Sequence, residues 1–159
     1  MSDSANGPAS STWTRGRRLG VDLGKARIGV AVCDPDGLLA TPVATVRRDL
    51  KTAGEDIPSD IREIAETARE YEVVEIVVGL PVTLSGEEGP AAAHTRAWVE
   101  RFADHVSPVP VTLTDERMTT AVATRRLNEG GVRGSRKRSI IDQAAAVEIL
   151  QHWLDQRRR

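Results

Sequence analysis

Three carboxylates stand beside short apolar runs of the sequence. Asp22 interrupts the run at 19–23, Glu116 follows the run at 111–114, and Asp142 lies in the stretch IDQAAAVEIL at 141–150. If the first and fifth strands are neighbours and the last helix packs across them, the three acids converge at one end of a sheet. Carboxylates that close repel one another unless a cation neutralises them.

Each acid also has a simpler explanation. Asp22 could bond to turn amides or pair with Lys25 or Arg27. Glu116 alone is weak evidence, although the carboxyl edge of an open α/β sheet is where sites tend to lie. Asp142 falls in the first turn of a predicted helix over 139–156, where an acid favours the helix dipole. However, Asp142 lies in the centre of the apolar face of that helix, where a buried carboxylate needs a partner of opposite charge or a hydrogen-bond donor.

A divalent metal would satisfy all three acids. Their ligands are oxygens only, with no cysteine or histidine near them in the sequence, which favours Mg²⁺ or Mn²⁺ over Zn²⁺. Two such ions about 3.5–4 Å apart can activate a water and stabilise a departing 3′-oxygen. The chemistry that this pattern indicates is phosphodiester hydrolysis at a two-metal site.

The surrounding pattern predicts an α/β fold. Alternating runs at 19–23, 28–32 and 38–46 indicate a three-strand meander, with Pro42 favouring an edge for the third strand. Amphipathic helices are predicted at 56–71 and 90–103, alternating with strands at 73–80 and 111–114. A short helix to about 128, a loop at 130–138 and the last helix complete a mixed sheet flanked by helices.

Composition limits the other possibilities. A chain of 159 residues with a net charge of −1 is expected to form a single domain, here 17–156, between a flexible arm at 1–16 and a basic tail at 157–159. Cys33 is the only cysteine, so no disulfide framework is available within one chain. We see no membrane span or secretory signal and expect a cytoplasmic protein.

Charge is unevenly distributed along the chain. Residues 54–75 carry eight acids against Arg62 and Arg69, whereas residues 125–138 carry six basic residues against Glu129. A basic run is often only a solvated face, but this one is also compatible with contact to a polyanion.

Four motifs together resemble the YqgF/RuvX family of ribonuclease-H-like proteins. They are VDLGKARIGVAV at 21–32, EIVVGLPVTLSGEEGP at 75–90, TDERMTT at 114–120 and IDQAAAVEIL at 141–150. The resemblance implies a five-stranded sheet of order 3-2-1-4-5 with strand 2 antiparallel. It also implies a catalytic, metal-binding triad of Asp22, Glu116 and Asp142. The substrate-binding residues that we expect from it are Gly24, Lys25, Arg27, Arg117, Arg133, Arg136, Lys137 and Arg138.

The family is described as acting on the 5′ end of 16S ribosomal RNA precursor and on Holliday junctions. The resemblance therefore implies a metal-dependent endonuclease whose partner is ribosomal RNA precursor or a four-way DNA junction. A homodimer would favour the junction, since two symmetric strands need two active sites, and a monomer would favour RNA. Two alternatives stay open: an ATP-binding module of the actin and sugar-kinase type, and a catalytically silent nucleic-acid-binding factor.

Overall fold

The computed structural model describes residues 13–116, 120–127 and 134–157. Five strands and four helices occupy these residues. The strands are β1 (Arg18–Leu23), β2 (Arg27–Cys33), β3 (Ala40–Arg47), β4 (Glu75–Pro81) and β5 (Val111–Glu116). The helices are α1 (Ser59–Glu70), α2 (Pro90–Val106), α3 (Thr120–Leu127) and α4 (Ser135–Arg157).

The five strands form one mixed sheet of order β3-β2-β1-β4-β5. Strand β2 is antiparallel to both β1 and β3, whereas β1, β4 and β5 run parallel. The predicted order and the antiparallel second strand are confirmed. Because β1 and β5 point the same way on either side of β4, Asp22 and Glu116 reach the same edge of the sheet.

Helices cover the two faces of the sheet unequally. The larger core joins α1 and α2 to one face, where Ile61, Ile64 and Phe102 are fully buried against β1 and β4 side chains. On the other face α4 packs across β1, β2 and β3, burying Leu150 and Trp153. Asp22 alternates with Leu19 and Val21 along β1, so it faces α4 rather than the larger core.

Glycines let α4 approach the sheet closely. A β-carbon at Gly29 would overlap the backbone carbonyl of Asp142, and one at Gly20 would lie 2.7 Å from Cβ of Leu150. Since backbone atoms cannot rotate away, Gly29 fixes how near Asp142 comes to β2. The glycine of the second strand thereby helps to position one of the three acids.

Helix α4 begins earlier than the sequence pattern predicts. We expected a loop through 138 and a helix from 139, but α4 starts at Ser135. Arg136, Lys137 and Arg138 are therefore helical, and Asp142 lies two turns inside the helix. At that depth the helix dipole does not explain an acid, so its burial needs another cause.

The predicted arm boundary at residue 16 is too late. The indole of Trp13 lies 6.4 Å from that of Trp153, and its Nε1 donates to the carbonyl of Pro35 at 3.2 Å. The guanidinium of Arg18 stacks on the Trp13 ring at 3.9 Å. At the other end Arg157 belongs to α4 and stacks on Trp153, so the basic tail is shorter than predicted.

None of the helices in the described part of the chain combines the length and the apolar character needed to cross a membrane.

Candidate active site

Asp22 and Glu116 share one arginine at the carboxyl edge of the sheet. Arg125 of α3 holds Asp22 in a two-pronged contact, with Nε 2.7 Å from Oδ2 and Nη2 2.7 Å from Oδ1. The same Nη2 donates to Oε1 of Glu116 at 2.9 Å. All three residues are at least 95% buried. One fixed cation thus stands between two of the predicted acids, in the geometry that guanidinium groups favour with carboxylates.

Asp142 has its own arginine. Nε of Arg27 donates to Oδ2 of Asp142 at 2.7 Å, and the carboxylate is 4% exposed. Strand β2 supplies the arginine and α4 the acid, so this pair also ties the helix to the sheet. Arg27 had been considered as a partner of Asp22, but the structure pairs it with Asp142.

Burial changes the acidity of this cluster. Loss of water, followed by the charge and hydrogen bonding of Asp22, raises the pKa of Glu116 to about 9 despite the opposing effect of Arg125 and Arg126. Burial also raises the pKa of Asp142, despite the hydrogen bond from Arg27. Ionisation of Glu116 at this site is therefore costly unless more positive charge enters it.

A small apolar cluster holds α3 in place. Val122 is fully buried against Ala145 and Ile149 of α4, forming a cluster separate from the two larger cores. The amide of Ala121 donates to Oε1 of Glu148 at 3.4 Å. These contacts connect the helix that carries Arg125 to α4.

A divalent ion at this site would need carboxylate oxygens of the three acids as ligands. The donor set is appropriate, since it offers only carboxylate oxygens. However, Arg125 engages both oxygens of Asp22 and one of Glu116, and Nη2 of Arg126 lies 3.6 Å from the other. Within the described residues no three acidic, histidine or cysteine side chains are grouped closely enough to hold an ion. The conformation described does not fit a metal until Arg125 moves away.

A groove of about 920 Å³ opens beside Glu116. The turn between β1 and β2 forms one wall through Gly24 and Lys25, and the loops after β3 and β4 contribute Leu50 and Leu84, which are 70% and 78% exposed. Its cationic lining residues are Lys25, Arg48, Arg125 and Arg126, and its acidic ones are Glu87 and Glu116. The groove is thus a route by which an anionic chain could reach the acids.

Arg48 shapes the turn beside that groove. Its Nη1 donates to the carbonyl of Gly24 at 2.8 Å, and its Nη2 lies 3.0 Å from Nε2 of His94. Burial lowers the pKa of Arg48, and the nearby Asp60 opposes that effect. This arginine holds the glycine turn that was expected to approach substrate.

The predicted substrate-binding residues have different surroundings. Lys25, Arg136 and Lys137 are exposed, whereas Arg27 and Arg138 are half-buried. Arg117 and Arg133 lie outside the described residues. The structure brings Gly24 and Lys25 to the groove and Arg27 to Asp142. Arg136 and Lys137 are not among the residues that line the groove.

Sequence reasoning missed the role of Arg125. The basic segment 125–138 was interpreted as a contact for a polyanion or as a solvated face, yet Arg125 is 5% exposed and bonded to two acids. Its partner Asp22 is 103 residues away in the chain. A local charge pattern has no means of showing a contact over that separation.

Solved structures offer a distant comparison. RuvC of Thermus thermophilus in complex with a Holliday junction substrate superposes with a TM-score of 0.47 and 16% identity, covering 89% of this chain and 95% of that one. A similarity this low does not bear on activity.

Sequence relatives are much nearer. A protein of Rhodococcus erythropolis named "Putative pre-16S rRNA nuclease" is 57% identical over 145 residues, or 91% of this chain and 81% of its own length. A Streptomyces coelicolor protein with the same name is 53% identical over 156 residues, or 98% of this chain and 88% of its own. The family model described as RuvX, Holliday junction resolvase, matches residues 16–156. Because that match spans nearly the whole domain and these relatives are more than half identical, the chain belongs to the RuvX family.

Proposed function

We propose that this protein is a metal-dependent endonuclease that hydrolyses phosphodiester bonds in structured nucleic acid. The observation that carries the proposal is the burial of three acids, Asp22, Glu116 and Asp142, of which Glu116 also lines the groove together with Lys25, Arg48 and Arg126. Burying acids this deeply costs stability, and clusters of such acids are typical of functional sites. The names of the relatives favour 5′-end maturation of 16S ribosomal RNA precursor as the substrate reaction. That reaction would place the protein in the cytoplasm.

The ions that suit this donor set are Mg²⁺ or Mn²⁺, held by Asp22, Glu116 and Asp142. When bound, such ions would supply an activated water and neutralise charge on the departing oxygen. The chain's own contribution is to bury the three acids and to place Lys25, Arg48 and Arg126 along the groove beside Glu116. Arg125 has to withdraw from Asp22 and Glu116 before either acid can serve as a ligand.

The description of the matching family supports a second candidate substrate, the four-way DNA junction. Such a junction has two symmetric strands to cut, so this function needs two active sites and hence a homodimer. The ATP-binding alternative has weaker support, because the family match covers nearly the whole domain and the described residues form a single sheet.

Cleavage of the two substrates side by side tests the proposal. A 5′-extended 16S precursor RNA and a synthetic four-way junction are each incubated with Mg²⁺ or Mn²⁺ and the wild-type protein, with an Asp22→Asn preparation as the contamination control. We expect cutting of the RNA that disappears with EDTA and in the variant. Cutting of the junction alone would reassign the substrate. Equal cutting by the variant, or none of either substrate, would contradict the proposed chemistry.

A further inference from the structure

A second cavity, of about 400 Å³, is lined by Arg27, the arginine that pairs with Asp142. It is enclosed by the start of β2, the end of β3 and the first turns of α4. Its lining residues are Ala26, Arg27, Thr45, Arg47, Arg138 and Ser139. Three arginines from three different elements therefore line one cavity, and among the described residues no acid does.

Two of these arginines are direct neighbours in the sheet. Arg27 and Arg47 are register partners at the end of the antiparallel β2–β3 ladder. Like charges placed opposite each other on paired strands destabilise a sheet. Arg27 has Asp142 to neutralise it, but within the described part of the chain no acid forms an ion pair with Arg47. A bound anion would reduce the repulsion between the two guanidinium groups.

The third arginine reaches the cavity from α4. Arg138 is half-buried and lies within the first four residues of the helix, where unpaired backbone amides add positive potential. Beside it, the hydroxyl of Thr45 bonds to the carbonyl of Ser139 at 3.2 Å and accepts from Nε2 of Gln143 at 3.1 Å. These bonds join β3 to α4, so the cavity is held between two fixed elements.

We propose that this cavity binds a backbone phosphate of the nucleic-acid substrate, next to the phosphate that is cut. The proposal rests on the proposed function for its choice of ligand. Guanidinium groups match phosphate oxygens in pairs, and three of them around one cavity suit a single anionic group better than a base or a sugar. Arg27 connects the cavity to the candidate active site, because it lines the cavity and donates a hydrogen bond to Asp142. A phosphate held here sets which bond of the strand lies over the acids.

Arg47 is the residue to change, because it has no contact with the three acids and was not among the predicted site residues. Binding of a fluorescent RNA oligonucleotide is measured by anisotropy in EDTA over a series of salt concentrations, so that no cleavage occurs. For Arg47→Gln we expect affinity to fall by about fivefold to tenfold and the slope of log K against log salt to flatten by nearly one unit. Arg62 is an exposed arginine of α1 on the opposite face of the sheet, so Arg62→Gln is the matched control. It should change neither the affinity nor the salt slope.

Thermal unfolding separates a binding role from a structural one. Removing one of two opposed arginines should leave the melting temperature of Arg47→Gln unchanged or higher, and Arg47→Lys should restore the salt slope. An unchanged affinity and slope in Arg47→Gln would overturn the inference while leaving the nuclease proposal intact. Loss of affinity in a protein that cuts neither substrate would support the phosphate site and count against the nuclease.

Discussion

At the scale of single residues, Arg125 places a positive charge where two candidate metal ligands meet. Its guanidinium is 6% exposed and within 2.9 Å of both Asp22 and Glu116. Any ion that binds these acids must replace that charge. The arginine and the ion therefore compete for the same oxygens.

This competition predicts an unusual pair of effects for Arg125→Gln. The free energy of unfolding should fall by about 3–5 kcal/mol without metal, because two buried acids lose their partner. At the same time the variant should bind Mn²⁺ at least about tenfold more tightly, and Mn²⁺ should raise its melting temperature more than that of the wild type. Urea unfolding and calorimetric titration with Mn²⁺ measure the two effects.

Arg126→Gln is the comparison variant, since Arg126 lies 3.6 Å from Glu116 and is 29% exposed. It should change Mn²⁺ affinity less. If Arg125→Gln is folded yet binds Mn²⁺ no better than the wild type, Arg125 does not stand in the way of the ion.

The residues of the site differed in how far sequence could predict them. Asp22, Glu116 and Asp142 were found because an acid beside an apolar run is conspicuous. Arg125 and Arg47 were not, because a basic residue near a strand end or in a charged stretch is ordinarily solvated. Arg125 is distinguished only by its contact with Asp22, 103 residues away in the chain. Arg47 is distinguished only by its place opposite Arg27 in the β2–β3 ladder.

At the scale of elements, the contact between β2 and α4 positions Asp142. Gly29 leaves no room for a side chain against the backbone of Asp142. Gly29→Ser should therefore lower the free energy of unfolding by about 1–3 kcal/mol through overpacking and push α4 away from the sheet. Chemical denaturation measures the loss.

Gly89→Ser introduces the same side chain at the residue before α2, where a β-carbon meets nothing within 4 Å. Serine is a favourable residue at that position of a helix, so stability should be unchanged or slightly higher. Equal losses in the two variants would mean that the closeness of α4 to β2 is unimportant.

The loop before α1 depends on one carboxylate. Asp49 accepts hydrogen bonds from the Thr52 hydroxyl at 2.6 Å, the Thr52 amide at 2.9 Å and the amide of Ser59, the first residue of α1, at 2.9 Å. The bond from the Thr52 hydroxyl, followed by those from the Ser59 and Thr52 amides, holds the pKa of Asp49 well below its usual value.

A depressed pKa stabilises the folded protein only while the carboxyl is ionised in both states. The contribution is thus present above the ordinary value of 3.8 and is lost as the pH falls below it. Asp49→Asn should be less stable than the wild type by a constant amount between about pH 7 and pH 5, and the difference should shrink below about pH 4. Asp104→Asn, an exposed acid of α2, serves as the control. A difference that stays constant into acid would contradict this role for Asp49.

Elements were predictable where apolar periodicity was strong. The β1–β2 hairpin and the parallel β4 and β5 follow from alternating or continuous apolar runs, whereas the strand order came only from the family resemblance. The start of α4 was not predictable in this way, because its first residues, SRKR, carry no apolar periodicity and follow glycines. Trp13 was assigned to an arm for the same reason, since its partner Trp153 is 140 residues further along the chain.

At the scale of the whole molecule, the two sides of the sheet carry different charge. Helix α1, on the larger core, belongs to the acidic segment at 54–75, whereas the arginines of α3 and the first turn of α4 lie on the other side. With a net charge of only −1, this separation favours approach of a polyanion from the side of α4. The cavity at Arg47 lies on that side, since α4 supplies part of its lining, whereas the groove beside Glu116 lies at the carboxyl edge of the sheet between residues of α2 and α3.

Single-turnover cleavage of a 5′-extended 16S precursor RNA, with Mg²⁺ and enzyme in excess, compares wild type with Asp142→Asn and Glu75→Gln. Glu75 is the matched control, because it is an acid paired with an arginine, Arg18, at the opposite end of the sheet. Cleavage by Asp142→Asn should slow by at least about a hundredfold, since a metal ligand matters more than its supporting groups, while Glu75→Gln should cut at nearly the wild-type rate. Comparable rates for wild type and Asp142→Asn would contradict the assignment of the three buried acids as the catalytic site.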